Sequence, residues 1–307
     1  MEQVAERKFT PMKRSLARPL LTFVFLAMSV VAATGQRAHS CRECAEWNKA
    51  QAPFRIFGNT YYVGPHGLSS VLITSPGGHV LIDGDLPESA SLIAKNIRSL
   101  GFRLEDVKLI VNSHVHSDHA GGIAELQRRT GARVVASEWS ANVLKKGGVG
   151  EGDPQFGVLR PVAAVKNVST FHDGEVIPVG DIAITPHLTP GHTPGGTSWT
   201  WKACEGTDCH EMVYGDSLNP VSAPGFLYSR DYPGAVEAFE KSFKFFETVP
   251  CEVLITAHPE ASNLWERLAQ RNKGVQPDPM VDSGACRAYA ASGREKLRQR
   301  LASEKKR

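Results

Sequence analysis

The sequence predicts an α/β protein built as a four-layer αββα sandwich, and three observations carry that prediction. β-rich runs and helical stretches recur in two similar halves, each passing from strands to β/α units. VKLIV (107–111) and EVLIT (252–256) read as buried apolar strands, as expected where helices cover the outside of two packed sheets. No clear linker separates the halves, so both belong to one domain.

The first half opens with FRIF, TYYV, SSVLIT and HVLID between residues 54 and 83, short strands broken by Gly, Pro and Asn. Residues 87–100 have helical spacing, with Leu92, Ile93, Ile97 and Leu100 on one face. After VKLIV comes a helix over AELQRRTG (124–131), ended by Gly131. RVVAS is a strand and EWSANVLKK a short helix. Residues 147–161 form a Gly/Pro-rich loop. The second half brings strands EVIPV, DIAITPHL, GTSWTW and EMVYG, a helix over 234–248 and the strand EVLIT. Helical stretches around 261–271 and 284–304 finish the chain.

Charge is unevenly placed. The chain has 307 residues, with 35 Lys and Arg against 32 Asp and Glu. Five of the basic and two of the acidic side chains fall in residues 1–35, leaving 30 of each in the body. A neutral body argues against nucleic-acid binding, which requires a basic excess. Behind the basic stretch, residues 20–33 (LLTFVFLAMSVVAA) are apolar. That run is short for a membrane span, which takes about 20 residues, and fits a secretory signal over residues 1–35. A start at Met12 gives a more ordinary signal length, and cleavage after Ala33 is expected. A soluble, periplasmic mature domain at 36–307 is expected, with no stable membrane association.

All six cysteines lie after that segment. Cys204 and Cys209 flank EGTD, a hairpin tip that a local bridge would close. Cys251 precedes a strand and Cys286 lies in the last helix, so a bridge between them would tie that helix to the body. Cys41 and Cys44 form a CxxC with no second CxxC to complete a zinc site. A local or unpaired pair in an N-terminal arm is the favoured reading.

The chemistry concentrates at the ends of strands. VNSHVHSDHAGG (111–122) places His114, His116, Asp118 and His119 directly after an apolar strand. Three histidines and an aspartate in six residues at such a position point to a metal cluster. Gly121 and Gly122 are expected to allow a tight bend into the next helix. His192 in LTPGHTPGG and His258 in LITAHPE also follow strands, unlike the remaining histidines. Zinc takes imidazole nitrogen and normally has four ligands. One ion would be held by His114, His116, His192 and a water, and a second by Asp118, His119 and His258, sharing that water.

HVHSDH, PGHTPGG and AHPE, in this order, resemble the metallo-β-lactamase fold, and within it subclass B3. The resemblance runs from GNTYYVG at 58–64 to GACRAYA at 284–290 and includes PGHTPGGTSWTW and YGDSL. It implies two mixed β-sheets with outer helices, two Zn2+ per chain and a Cys251–Cys286 bridge. It also implies a monomer whose small-molecule substrate is a β-lactam. Asp118 would be the catalytic residue, ligating the second zinc and orienting the attacking water. DPQF (153–156) resembles an active-site loop and makes Gln155 a substrate contact, while Ser217, Asn219 and Ser222 would bind the substrate carboxylate. Two alternatives remain. One is an exported hydrolase of the same fold acting on a thioester, lactone or phosphodiester, with Asp216 between the metals. The other is a non-catalytic zinc-binding protein.

Overall fold

The computed structural model describes residues 10–11 and 41–306. The chain divides into two units, Met1–Ala38 and His39–Arg307, and the fold described is that of the second. The expected export signal lies, apart from Thr10 and Pro11, outside the described residues.

An N-terminal turn of helix, α1 (Cys44–Trp47), precedes strands β1 (Phe54–Phe57), β2 (Thr60–Tyr62), β3 (Val71–Ile73) and β4 (His79–Ile82). Helix α2 (Ala90–Ser99) leads to β5 (Val107–Val111), α3 (Ser117–Ala120), α4 (Ile123–Thr130), β6 (Arg133–Val135) and α5 (Glu138–Lys146). Strand β7 (Val168–Ser169) completes a seven-stranded sheet in the order β1 to β7. Its first four strands form an antiparallel meander, and β4 through β7 run parallel. The second sheet contains β8 (Ile177–Val179), β9 (Ile182–Leu188), β10 (Thr197–Glu205), β11 (Asp208–Gly215) and, after α6 (Ala235–Thr248), β12 (Val253–Thr256). Its order is β12-β11-β10-β9-β8, antiparallel except for the β11–β12 pair. Helices α7 (Leu264–Asn272) and α8 (Ala285–Glu304) follow. Among the described residues no helix is long and apolar enough to cross a membrane.

The period of two along each strand explains the four layers. In β5, Leu109 and Val111 face the cluster between the sheets and Ile110 faces α2, α4 and α5, while an irregularity in the β4–β5 register breaks the alternation at Val107, which joins Ile110. In β11 and β12, Met212, Tyr214, Val253 and Ile255 join the central cluster, while Val213 and Leu254 pack under α6 and α8. Strands buried on both faces read as unbroken apolar runs for this reason.

Departures from the sequence reading are local. β7 has two residues and α3 four, too short to carry a periodic signal. GTSWTW is the start of a nine-residue strand that runs to Glu205. Gly131 ends α4 at φ 72°, as expected of a left-handed cap. Gly121 and Gly122 have ordinary helical φ values of −60° and −86°, and are required for space instead. A Cβ on Gly121 would stand 2.3 Å from Ser117 O, and one on Gly122 would stand 2.2 Å from Gly84 O.

Three disulfides are formed. Cys204–Cys209 closes the β10–β11 hairpin, where the two residues are directly paired, and Cys251–Cys286 joins the entry to β12 to α8. Cys41 and Cys44 bond to each other, so the CxxC pair is local.

Candidate metal centre

The carboxyl-terminal ends of β5, β11 and β12 and the β9–β10 loop converge on one cavity of about 800 Å³. The loop after β5 is fixed from beneath by Asp83. This fully buried carboxylate accepts from Ser113 N at 2.7 Å, Ser113 Oγ at 2.6 Å, Asn112 Nδ2 at 3.1 Å and Tyr214 Oη at 2.9 Å. Trp199 Nε1 donates to Asn112 O across the sheets. With the loop pinned, His116 and Asp118 line the cavity, and the ring of His114 packs behind them against those of His116 and His119.

Six side chains form two groups. His114, His116 and His192 are buried, and one ligand atom from each lies within 4.8 Å of the others. Asp118, His119 and His258 form the second group by the same measure. The structure thus brings together all six residues that the sequence singled out.

In the first group every imidazole is held through one nitrogen. His114 Nδ1 donates to Asp216 Oδ1 at 2.7 Å, leaving its buried Nε2 without a protein partner. His192 Nδ1 donates to Asn219 O at 2.7 Å. His116 Nε2 lies 2.9 Å from Asp153 Oδ2, with Gln155 Nε2 3.4 Å from its Nδ1. Burial holds His114 well below the usual histidine range, and the neighbouring imidazoles of His119, His116 and His192 act in the same direction. Burial, reinforced by His116, lowers His192 to about 3. Both rings therefore stay neutral, the state in which imidazole ligates a metal.

The second group is arranged around Asp118. Its Oδ2 lies 3.3 Å from His119 Nε2 and 3.4 Å from His258 Nε2, and those two nitrogens are 3.3 Å apart. Burial opposes ionisation of Asp118, but the charges and hydrogen bonds of His119 and His258 hold the carboxyl well below its usual range. A tetrahedron with bonds of 2.0–2.1 Å has edges of about 3.3–3.4 Å, so these three donors match one zinc-sized ion.

The chain matches the metallo-beta-lactamase superfamily model over residues 63–258. The chain belongs to this superfamily. Its fold superposes on that of Rm3 metallo-beta-lactamase at 57% identity, covering 87% of this chain and 99% of that one, with a TM-score of 0.84. MEM-A1, a subclass B3 metallo-beta-lactamase from a soil metagenome library, is similar at 50% identity, covering 84% and 98%, with a TM-score of 0.81. The chain is a member of subclass B3. Among curated sequences it is 29% identical over 149 residues to the N-acyl homoserine lactonase AttM of Rhizobium radiobacter, covering 41% of this chain and 56% of that protein. It is 28% identical over 171 residues to a hydroxyacylglutathione hydrolase of Rhodopseudomonas palustris (strain BisB5), covering 55% of each. The chain therefore spans about half the length of these curated relatives.

The expected substrate contacts of this metallo-β-lactamase are distributed unequally. Gln155, Ser217 and Asn219 line the cavity. Ser222 does not: its hydroxyl donates to Ala223 O and accepts from Arg300 Nη2 at 2.7 Å, so it braces the loop against α8. Asp216 belongs to neither group of ligands and stands behind His114. Sequence reasoning missed Asp83 and Asp153, which sit in LID and DPQF with no spacing signal of their own. It also missed Trp47, whose ring meets that of His258 edge-on at 5.1 Å.

Proposed function

We propose that this chain is an exported, zinc-dependent β-lactam hydrolase. The observation that carries this reading is the pair of three-residue groups, one all-histidine and one Asp-His-His, opening into a single cavity. Imidazole and carboxylate donors in sets of three suit zinc with a position left for water, whereas structural sites are closed by four protein ligands. When bound, zinc supplies Lewis acidity, lowering the pKa of a water to about 7 and polarising a carbonyl oxygen.

The chain's own residues do the rest. His114, His116 and His192 hold one ion, and Asp118, His119 and His258 hold the other. Asp118 presents Oδ2 to both histidines, which leaves Oδ1 to accept from the attacking water and set its direction. Asp216 and Asp153 keep two imidazoles oriented. Ser217 and Asn219 receive the substrate carboxylate on one wall, and Gln155 faces it from the loop at 147–161. Residues 1–35 serve as the export signal, and 36–307 act as a monomeric periplasmic domain. The rival lactone or thioester hydrolase would place Asp216 between the metals, and its bond to His114 Nδ1 favours the orienting role.

Turnover of nitrocefin, a chromogenic cephalosporin, tests the reading. Hydrolysis with zinc, loss after dialysis against a chelator and recovery on adding zinc are expected. Turnover that survives exhaustive chelation would refute the metal-dependent reading.

A further inference from the structure

The wall of the cavity formed by α8 carries a cation that the sites above do not use. Tyr289 Oη donates to Asp216 O at 2.8 Å and accepts from Leu218 N at 3.2 Å. One turn later, a Cβ on Gly293 would stand 2.8 Å from Leu218 Cβ, so α8 lies directly on the 216–219 segment. Ser292 and Lys296 stand three and seven residues after Tyr289 and share its helix face. Both line the cavity together with Ser217 and Asn219.

Two basic side chains of α8, Arg287 and Lys296, have no carboxylate partner among the described residues, and of the two Lys296 lines the cavity. On the same helix Arg294 pairs with Glu240 and Glu247, Arg298 with Glu295, and Arg300 with Glu304. Lys296 meets no carboxylate within ion-pair distance among the described residues. Of the other cations lining the cavity, Arg160 is tied to Glu88, and Arg42 belongs to the N-terminal arm that also contributes Glu43. The cavity also contains Asp118 and Glu260, which repel an anion. The hydroxyl and amide of Ser217 and Asn219 are neutral, and replace only part of the solvation a carboxylate loses on entry.

We propose that Lys296, with the Ser292 hydroxyl one turn before it, is a specificity-determining anchor for the carboxylate on the substrate ring. The proposal rests on the lactam-hydrolase reading and deepens it. An ammonium on a four-carbon stem acts as a mobile point charge, suited to anions carried on rings of different size. It acts on binding and stands apart from the reacting bond.

The test compares nitrocefin with its methyl ester on the zinc-loaded chain and on Lys296→Met and Lys296→Arg. For the free carboxylate, Lys296→Met should raise KM about fivefold with kcat within about twofold. Lys296→Arg should restore KM, and high salt should shrink the difference. The ester should show the same KM in all three proteins. An unchanged KM in Lys296→Met, or an equal rise for the ester, would overturn the anchor while leaving the hydrolase reading intact. Failure of the unsubstituted chain to turn over either compound would overturn both.

Discussion

The two groups of ligating side chains open into one cavity but are held by different means. In the all-histidine group each ring has a protein acceptor behind it: Asp216, Asp153 or the carbonyl of Asn219, at 2.7–2.9 Å. All three rings are buried. In the other group, His258 has a side chain 33% exposed and is backed by the edge of Trp47. His119 Nδ1 is 3.9 Å from Asp83 Oδ2 and makes no hydrogen bond. A ring already fixed through its far nitrogen loses little freedom on ligating, and its basicity is raised. The all-histidine group should therefore hold metal more tightly, and the Asp-His-His group should empty first.

The most disruptive way to probe this difference is Asp118→Asn. Asp118 is the common neighbour of both histidines in its group, and in the proposed function it orients the attacking water. The variant should retain about one zinc per chain and lose about 10²–10⁴-fold in kcat. Metal analysis beside nitrocefin kinetics checks both numbers. Two zincs and a normal kcat would remove Asp118 from the centre.

Asp216→Asn strikes the opposite group. An amide is a weaker acceptor than a carboxylate for His114 Nδ1, so zinc affinity at the all-histidine group should fall about 10–100-fold. The affinity of the Asp-His-His group should not change. Competition against a zinc-binding dye reads the two steps separately. Loss of both ions together would place Asp216 between the metals and revive the lactonase or thioesterase reading.

How much of this was legible in the sequence follows the same division. The grouping of the six candidate ligands was legible because metal binding demands rare residue types at strand ends, and HVHSDH compresses four of them into six positions. The layers were legible because strands buried on both faces leave apolar runs. The supports were not. Asp216, Asp153 and Asn219 O lie 102, 37 and 27 residues from the rings they hold, and only folding brings them together. Asn219 acts there through its backbone, so its side-chain identity gives no sign of that role. Ser222 misled for a related reason. The family resemblance put its hydroxyl on the substrate carboxylate, but Arg300 donates to that hydroxyl instead.

That contrast between two serines gives a smaller effect. Ser217→Ala removes a hydrogen bond to a charged group, made alike in ground and transition states. KM should rise up to about tenfold with kcat preserved. Ser222→Ala should leave KM unchanged, because its hydroxyl is turned toward α8. Kinetics on a carboxylate-bearing β-lactam decide between them. Equal effects at the two positions would mean that the loop rearranges to admit Ser222.

The smallest expected effect isolates the support of the Asp-His-His group. Trp47 belongs to the arm closed by the Cys41–Cys44 bridge. The arm is seated on the body by Gly67, whose N donates to Trp47 O at 2.9 Å and whose missing Cβ would stand 2.6 Å from Trp47 Cα. The indole meets His258 at 5.1 Å and is half-buried there. Trp47→Ala would leave His258 to sample other rotamers before ligating. Ordering one such side chain costs about 1 kcal/mol, which corresponds to about fivefold in affinity. Zinc affinity at the Asp-His-His group should fall by that factor while the all-histidine group is unaffected, and Trp47→Phe should recover most of the loss. Reducing the Cys41–Cys44 bridge should act in the same direction through the same ring. If Trp47→Ala leaves both affinities unchanged, His258 is held by its own backbone at the entry to the Pro259–Ser262 turn. The two groups would then differ in their hydrogen bonds alone.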